Sequence, residues 1–304
     1  MPFDSQNNRT YRGRFAPSPT GPLHFGSLVC AVASFLQARA NRGTWLVRME
    51  DLDPPREIPG AADDILRTLE CHGLGWDETV VYQSQRHERY HHWLEYLLSN
   101  DLVYRCRCSR KDIQQQQLAL GINVYPGTCK EQRVTGEEQH AVRLRVSAKS
   151  IHFHDRIQGQ FGHDIAVDVG DFVVKRADGW FAYQLAVVVD DEEQGITEVV
   201  RGSDLLDNTP RQIYLQQQLN VRTPDYAHIP VATTVTGEKL SKQTFARPVD
   251  NGTPLENIIM SLAFLGQNPP APGEFDNLNS LWQWAIDRWN IDAIPRVPGI
   301  YTAS

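Results

Sequence analysis

The chain has 304 residues, 41% of them hydrophobic and 22% charged, and a formal net charge of -7. These values are typical of a globular protein and exclude a disordered or fibrous chain; the acidic balance excludes a surface that coats nucleic acid generally, so any RNA contact must be local. Because no apolar run approaches the roughly 18 residues that cross a bilayer, and the first residues lack the apolar stretch of a secretory signal, we expect a cytoplasmic protein with no membrane partner.

The first predicted elements are a strand that ends at residues 14–16, a helix over 26–43 and a strand over 44–53. This succession of strand, loop, helix and strand predicts a parallel α/β sheet. The loop before the helix, within GRFAPSPTGPLHFGSL, holds three prolines and three glycines. Proline fixes φ and glycine permits close approach, so we interpret this loop as rigid and shaped.

Helical spacing of apolar residues continues in two further segments, 59–76 and 86–106, the second of which passes into an extended stretch. From residue 106 to about 162 the composition shifts toward Gln, Gly, Lys and Arg with several turn signals. We interpret this region as an inserted subdomain between two parts of the sheet domain, 1–105 and 163–248.

The part after the insert returns to apolar runs. RADGW predicts a hairpin turn, AVVV a buried strand or helix, and Pro210 the first turn of a helix. Beyond Pro248, PLENIIMSLAFLGQ and LNSLWQWAIDRW have amphipathic spacing. They predict a small helical lobe over 249–304.

Two short stretches could bind a phosphate. His24 and Ser27 lie where the rigid loop enters its helix, the end at which free backbone amides favour an anion. The tetrapeptide HFGS alone indicates only a capped helix with a buried histidine, but the stiff loop before it favours a binding role. Far downstream, GEKLSKQ alone is a solvated turn, yet Lys239 and Lys242 on such a loop can close over a triphosphate.

These motifs, in the order RFAPSPTGPLHFGS, VRMEDLD, VVRGSDLL and KLSKQ, resemble the class I glutamyl-tRNA synthetase family. HFGS stands where that family has its HIGH signature, and KLSKQ where it has KMSKS. The resemblance implies a Rossmann-type catalytic domain that joins glutamate to ATP, giving glutamyl-adenylate and pyrophosphate. It also implies magnesium with the ATP, although no carboxylate cluster identifies a protein-held magnesium site.

Glutamate carries two carboxylates and one ammonium, so its pocket needs cationic groups and a counter-anion. At the positions that match the family's site, Arg14 and Arg201 are the candidates for the carboxylates and Glu50 for the ammonium. Without the surrounding motifs, Glu50 would be interpreted as a surface ion pair with Arg48 or Arg56. The glutamate set implied by the resemblance is Arg14, Phe15, Ala16, Pro17, Ser18, Glu50, Tyr183 and Arg201.

The resemblance assigns His24 to the ATP phosphates, and Lys242 to the α-phosphate and the departing pyrophosphate; both are the catalytic candidates. The ATP set that it implies is His24, Gly26, Ser27, Lys239 and Lys242.

The insert contains a candidate zinc site. The five cysteines of the chain are an odd number without the spacing of a disulfide scaffold, so we expect reduced thiols. In an extended segment Cys106 and Cys108 point to one side, and Cys129 can return as a third soft ligand. Tyr125 is our choice for the fourth ligand, with His140 as the alternative. Three reduced cysteines in a packed subdomain remain the competing interpretation.

The chain has only about sixty residues after the KLSKQ motif and carries the Cys-x-Cys and Tyr-x-x-x-Cys insert. In both features it resembles the glutamyl-queuosine tRNA(Asp) synthetases. That resemblance implies a protein without an anticodon-binding domain, which activates glutamate without tRNA and attaches it to the queuosine base in the anticodon loop of tRNA(Asp). We expect a monomer. The alternatives are a truncated ordinary glutamyl-tRNA synthetase that charges a tRNA 3' end, a catalytically silent zinc- and RNA-binding adaptor, and, more distantly, a nucleotidylyltransferase.

We predict that Lys242→Ala slows glutamate-dependent pyrophosphate exchange by orders of magnitude. Loss of one preorganised contact to developing charge costs about 3 to 4 kcal/mol in the transition state. Exchange of labelled pyrophosphate into ATP measures the effect, and circular dichroism checks that the fold is intact. An unchanged exchange rate would refute the assignment of this lysine.

Overall fold

The computed structural model describes residues 10–132, 134–136, 139–240 and 247–302. The helices are α1 Phe25–Ala40, α2 Ala61–Cys71, α3 His87–Ser99, α4 Arg110–Leu120, α5 Tyr183–Glu193, α6 Thr209–Leu219, α7 Pro254–Phe264 and α8 Leu278–Arg288. The strands are β1 Arg12–Phe15, β2 Thr44–Met49, β3 Val81–Tyr82, β4 Val103–Cys106, β5 Ala141–Leu144, β6 Ser150–Asp155, β7 Gly159–Asp164, β8 Val173–Lys175, β9 Glu198–Gly202, β10 Asp225–Ile229, β11 Val231–Thr233 and β12 Gly299–Tyr301.

Parallel strands form the centre of the fold, which confirms the predicted α/β class. β1, β2 and β3 pair in parallel, as do β9 and β10. The two ladders lie side by side, because the backbone N–H of Thr197, just before β9, donates to the carbonyl of Arg12 on β1 at 2.9 Å. The first β–α–β unit is therefore β1, α1 and β2, as the sequence predicts.

Hydrophobic cores cover both faces of this sheet, as parallel sheets require. In β2, Trp45, Val47 and Met49 belong to the core around α1, and Leu46 belongs to the core around α5 and α6. Side chains alternate between the two faces of a strand. Arg48 therefore lies on the same face as Leu46, towards α5.

The helices predicted for 249–304 are present as α7 and α8, and they share the core of α1. Ile258, Leu262 and Trp282 belong to the same cluster of buried residues as Leu28 and Leu36. The segment also contributes β12, which pairs in parallel with β11. This strand was not predicted, because three residues after a proline-rich turn carry no readable alternation.

The insert consists of an antiparallel sheet in the order β4-β5-β8, helix α4 and the hairpin β6–β7. Both predicted limits of the insert, 106 and 162, fall within strands, because β4 ends at Cys106 and β7 spans Gly159–Asp164. Strand β6 of the hairpin packs against α6 and β10 of the sheet domain. The insert is thus built into the sheet domain on both sides of the predicted boundaries.

In the part of the chain that the structure describes, no helix combines the length and the apolar character that crossing a membrane requires.

Candidate active site and metal centre

The candidate site lies at the carboxyl ends of the parallel strands, where ligands bind in open α/β sheets. A cavity of about 810 Å³ opens there. Nearly all of the predicted glutamate and ATP residues line it: Arg14, Phe15, Ala16, Pro17, Ser18, His24, Ser27, Glu50, Tyr183, Arg201 and Lys239. Gly26 lines a smaller adjoining cavity together with His24 and Ser27.

The rigid loop predicted after β1 is fixed to the end of β2. The backbone N–H of Glu50 donates to the carbonyl of Pro17 at 2.9 Å, and that of Ile58 donates to Pro19 at 3.1 Å. The N–H of Thr20 donates to Ser18 within the loop at 2.8 Å. These bonds hold the loop against the strand that carries Glu50.

His24 caps the first turn of α1. Its Nδ1 lies 3.3 Å from the backbone N of Ser27, and its Nε2 lies 3.1 Å from the Ser27 hydroxyl. A Cβ on Gly26 would lie 3.3 Å from the imidazole, so a larger residue would crowd the ring. The amino end of a long helix therefore faces the cavity, and such an end attracts an anion.

The residues on either side of segment 241–246, which carries part of the KLSKQ motif, lie beside His24. Lys239 lines the cavity and its Nζ pairs with Asp204. Pro248 and His24 form an isolated antiparallel β-bridge, in which the backbone N–H of Val249 donates to the carbonyl of Leu23 at 2.9 Å.

The predicted catalytic Lys242 belongs to 241–246, which lies outside the described residues. The described flanks of that segment are thus at the helix start where phosphate binding is predicted.

Glu50 forms an ion pair with Arg48, but not on the surface. Its Oε1 lies 3.3 Å from Arg48 Nη2, and the two side chains are 11% and 0% exposed. Burial raises the pKa of Glu50, while Arg48 and Arg14 oppose the shift. The carboxylate remains at the cavity wall, where a substrate ammonium would add the positive charge that favours its ionised form.

Arg14 lines the cavity as one member of a buried ion pair. Its Nε and Nη2 donate to Asp191 at 3.0 and 3.3 Å. Arg48 donates to the same carboxylate at 2.8 Å. Burial opposes ionisation of Asp191, but the two guanidinium groups overcome it and lower the pKa.

Arg201 is surrounded by neutral acceptors. It donates to Nε2 of His228 at 2.9 Å, to Oγ1 of Thr209 at 2.8 Å and to the hydroxyl of Tyr183 at 3.4 Å. Its side chain is buried, and among the described residues no carboxylate lies within ion-pair distance of it. Its charge is therefore available to an acidic ligand in the cavity.

The buried residues that pair with the cavity residues and hold them in place were not predicted from the sequence. Arg48 appeared only as an alternative partner of Glu50, and Asp191, Asp155 and His228 were not singled out. A charged residue inside the apolar strand TWLVRM and an acidic pair at the end of the apolar VVVDDEE were the available signals. Buried charges of this kind require partners.

The three insert cysteines converge, as predicted. The sulfur atoms of Cys106, Cys108 and Cys129 lie within 4.8 Å of one another, and those of Cys108 and Cys129 are 3.5 Å apart. A tetrahedral zinc site with Zn–S bonds of about 2.3 Å separates its sulfurs by roughly 3.8 Å. The spacing of the three thiols is therefore compatible with ligands of one metal ion.

Tyr125 lies with these thiols. Its hydroxyl oxygen is 3.3 Å from Cys106 Sγ and 3.6 Å from Cys108 Sγ, and it accepts the backbone N–H of Cys129 at 2.9 Å. The guanidinium of Arg143 lies 4.0 Å from the centre of the tyrosine ring. Burial and the hydrogen bonds with the thiols of Cys106 and Cys108 raise the pKa of Tyr125, so a phenolate there would require a bound cation. The alternative ligand, His140, does not join the cluster among the described residues.

Known proteins resemble this chain in sequence along most of its length. Residues 10–275 match the family model of class I tRNA synthetases (E and Q), catalytic domain. The chain is 52% identical over 293 residues to the glutamyl-Q tRNA(Asp) synthetase of Chromobacterium violaceum, covering 96% of this chain and 98% of that protein. It is 53% identical over 292 residues to that of Dechloromonas aromatica, covering 95% and 97%.

Among solved structures, the chain is similar to a glutamate tRNA ligase from Elizabethkingia meningosepticum in complex with its amino acid. The TM-score is 0.80 and the identity 26%, and the match covers 97% of this chain and 67% of that protein.

We predict that Arg48→Met lowers the free energy of unfolding by about 3 to 5 kcal/mol, because it leaves Asp191 and its neighbours as buried charges with too few partners. Urea unfolding measures the change. Arg67→Met is the control, since Arg67 is exposed and its pair with Asp64 contributes at most about 1 kcal/mol. Equal losses for the two variants would contradict a structural role for the buried pair.

Proposed function

Because the chain belongs to the class I glutamyl- and glutaminyl-tRNA synthetase family and, within it, to the glutamyl-Q tRNA(Asp) synthetases, we propose that it is a ligase that activates L-glutamate with ATP, without tRNA, and transfers the glutamyl group to the queuosine base of tRNA(Asp). One observation carries this proposal. A single cavity brings together an unneutralised arginine, a buried glutamate, a capped helix start and a lysine.

The charges of the cavity suit glutamate. Arg201 presents positive charge to a substrate carboxylate, and Tyr183 beside it supplies a hydroxyl. Glu50 accepts the ammonium. Arg14 also lines the cavity, but Asp191 already neutralises much of its charge. Arg201 is therefore the stronger ligand of the two for a substrate carboxylate.

The first step is adenylate formation. An oxygen of the glutamate α-carboxylate attacks the α-phosphorus of ATP, and the bond to pyrophosphate breaks. His24 and the amino end of α1 bind the phosphates, and Lys239 lies on the same wall of the cavity. Lys242 is proposed to stabilise the charge that develops on the leaving pyrophosphate. Magnesium would accompany the ATP phosphates.

The second step is transfer. An acceptor hydroxyl attacks the carbonyl carbon of glutamyl-adenylate, the bond to AMP breaks, and the hydroxyl proton passes to solvent. A second cavity of about 430 Å³ shares Ser18, Glu50 and Tyr183 with the first and continues to Glu57 and Arg176. We propose it as the entrance for the acceptor base, since it reaches Glu50 and Tyr183 and, unlike the first cavity, is not lined by His24.

Zinc is proposed as the metal of the insert. Three thiolates and a phenolate would give it four ligands, and such closed sites stabilise small subdomains. The insert has little core of its own around the cluster, with Tyr104 and Val134 as its further buried members. Burial raises the pKa of Cys108 to about 11, whereas at Cys129 burial is outweighed by hydrogen bonds from the backbone of Arg107 and from Tyr125, which lower the pKa. A bound cation would favour the thiolate at both positions.

The proposed function is tested by the acceptor. We expect glutamate-dependent pyrophosphate exchange without tRNA, and labelled glutamate on tRNA(Asp) that contains queuosine but not on tRNA(Asp) that lacks it. Glutamate tRNA serves as the competing acceptor. Label at the 3' end of glutamate tRNA would identify an ordinary glutamyl-tRNA synthetase, and absence of exchange would indicate a silent adaptor.

Zinc content gives a separate prediction. Elemental analysis of the purified protein should find about one zinc per chain, and Cys129→Ala should lose it because three remaining donors cannot close the site. Cys71→Ala is the matched control, since Cys71 is exposed and far from the cluster in the chain. Native protein without zinc, or zinc retained in Cys129→Ala, would overturn the site.

A further inference from the structure

The carboxylate-binding Arg201 is held by two buried residues outside the cavity. Arg201 and His228 are register partners on β9 and β10, so their side chains leave the same face of the sheet side by side. His228 Nδ1 lies 2.6 Å from Oδ2 of Asp155, at the end of β6. Asp155 and His228 are both 0% exposed.

The chain of hydrogen bonds defines the tautomer of the histidine. A guanidinium can only donate, so the Nε2 that receives Arg201 Nε at 2.9 Å must carry a lone pair. The proton of the neutral ring is then on Nδ1 and is donated to Asp155. Burial lowers the pKa of His228 to about 4; Arg201 adds to the shift and Asp155 opposes it. The ring is thus neutral at physiological pH.

Asp155 is itself fixed by backbone. Its Oδ1 accepts the N–H groups of Ile157, Gln158 and His228 at 3.0, 2.9 and 3.1 Å. The hairpin β6–β7, which sequence reasoning assigned to the insert, therefore supplies the anchor for a catalytic-domain arginine.

An imidazole between a carboxylate and an arginine has a particular electrostatic effect. Direct contact with Asp155 would pair the guanidinium and cancel much of its attraction for a substrate carboxylate. The neutral ring, itself held by Asp155, fixes the position of the Arg201 guanidinium without placing a negative charge against it.

We propose that Asp155 and His228 are positioning residues that orient Arg201 while leaving its charge free, and that they thereby set the selectivity of the cavity for an acidic amino acid. This inference rests on the proposed glutamate activation. It assigns to the β6–β7 hairpin a role in substrate selection.

The test compares variants of the dyad in pyrophosphate exchange without tRNA. In Asp155→Asn the amide can keep the backbone bonds at Oδ1, but it no longer offers a carboxylate to Nδ1–H. We expect the KM for glutamate to rise at least tenfold, the KM for ATP to change less than twofold, and the preference for glutamate over glutamine to fall. Asp164→Asn, on the exposed end of the same hairpin, is the matched control.

Two replacements of His228 separate positioning from packing. His228→Leu removes the acceptor of Arg201 and should raise the KM for glutamate at least tenfold. His228→Gln offers an amide oxygen and should restore the KM to within about threefold of the unmodified protein. If His228→Leu does not fold, Asp155→Asn and His228→Gln still decide the question.

Nitrogen-15 NMR of the histidines gives a readout independent of activity. We expect His228, identified by the signal that is lost in His228→Gln, to show a protonated Nδ1 and a bare Nε2 across pH 6 to 8, and to lose that pattern in Asp155→Asn. His72 is an internal control with the same pattern, because its Nδ1 donates to the carbonyl of Thr68 at 2.7 Å and its Nε2 accepts from Asn257 at 3.0 Å, and Asp155→Asn should leave its signal unchanged. A protonated Nε2 at His228, or equal glutamate KM values in all variants, would overturn the proposal while glutamate activation stands. Absence of glutamate-dependent exchange in the unmodified protein would overturn the proposed function and this inference together.

Discussion

The constraint on which the site depends is the burial of several charges at one edge of a parallel sheet. Arg14, Arg48 and Asp191 are almost inaccessible to solvent, and each is held by a partner of opposite charge. Buried charges are tolerated only with such compensation. Because the pairs use the end of β1, the end of β2 and the last turns of α5, they fix the relative positions of three elements that surround the cavity.

Arg201 differs from these paired residues, because it has no carboxylate partner among the described residues. Its hydrogen-bond partners are neutral, and the carboxylate of Asp155 acts on it only through the imidazole of His228. The arrangement separates two tasks that ion pairs usually combine: rigidity and charge neutralisation. Rigid ion pairs form the walls of the cavity, whereas Arg201 is held by hydrogen bonds to neutral groups and by the ring of Tyr226, whose centre lies 5.6 Å from the guanidinium.

Among the described residues, the candidate metal site shares none with the lining of the cavity, since none of Cys106, Cys108 and Cys129 is part of that lining. The cysteine cluster follows β4 of an antiparallel sheet, and its own set of buried residues is small. A metal there would stabilise the insert rather than take part in glutamate activation. The insert contributes to the active site by another route, the hairpin β6–β7, whose anchor residue reaches the end of β10.

The parallel α/β class, the rigid loop and the capped helix start could be predicted from residue types and their local spacing. The convergence of the three cysteines was predicted from their chemistry as soft ligands, whereas the residues of the cavity wall were named because their motifs resemble those of the glutamyl-tRNA synthetase family. The limits of the insert were not readable. Strands β4 and β8 join the same sheet from either side of it, and such pairing over long distances leaves no local pattern.

Which charges are neutralised could not be predicted from residue types, because it depends on contacts between distant parts of the chain. Arg14 and Arg201 were equivalent candidates in the sequence, yet Asp191 neutralises the first and His228 leaves the second charged. The difference depends on the register of β9 against β10 and on a helix that follows more than 160 residues after β1. Electrostatic state is set by neighbours in space, which a sequence of residue types does not specify.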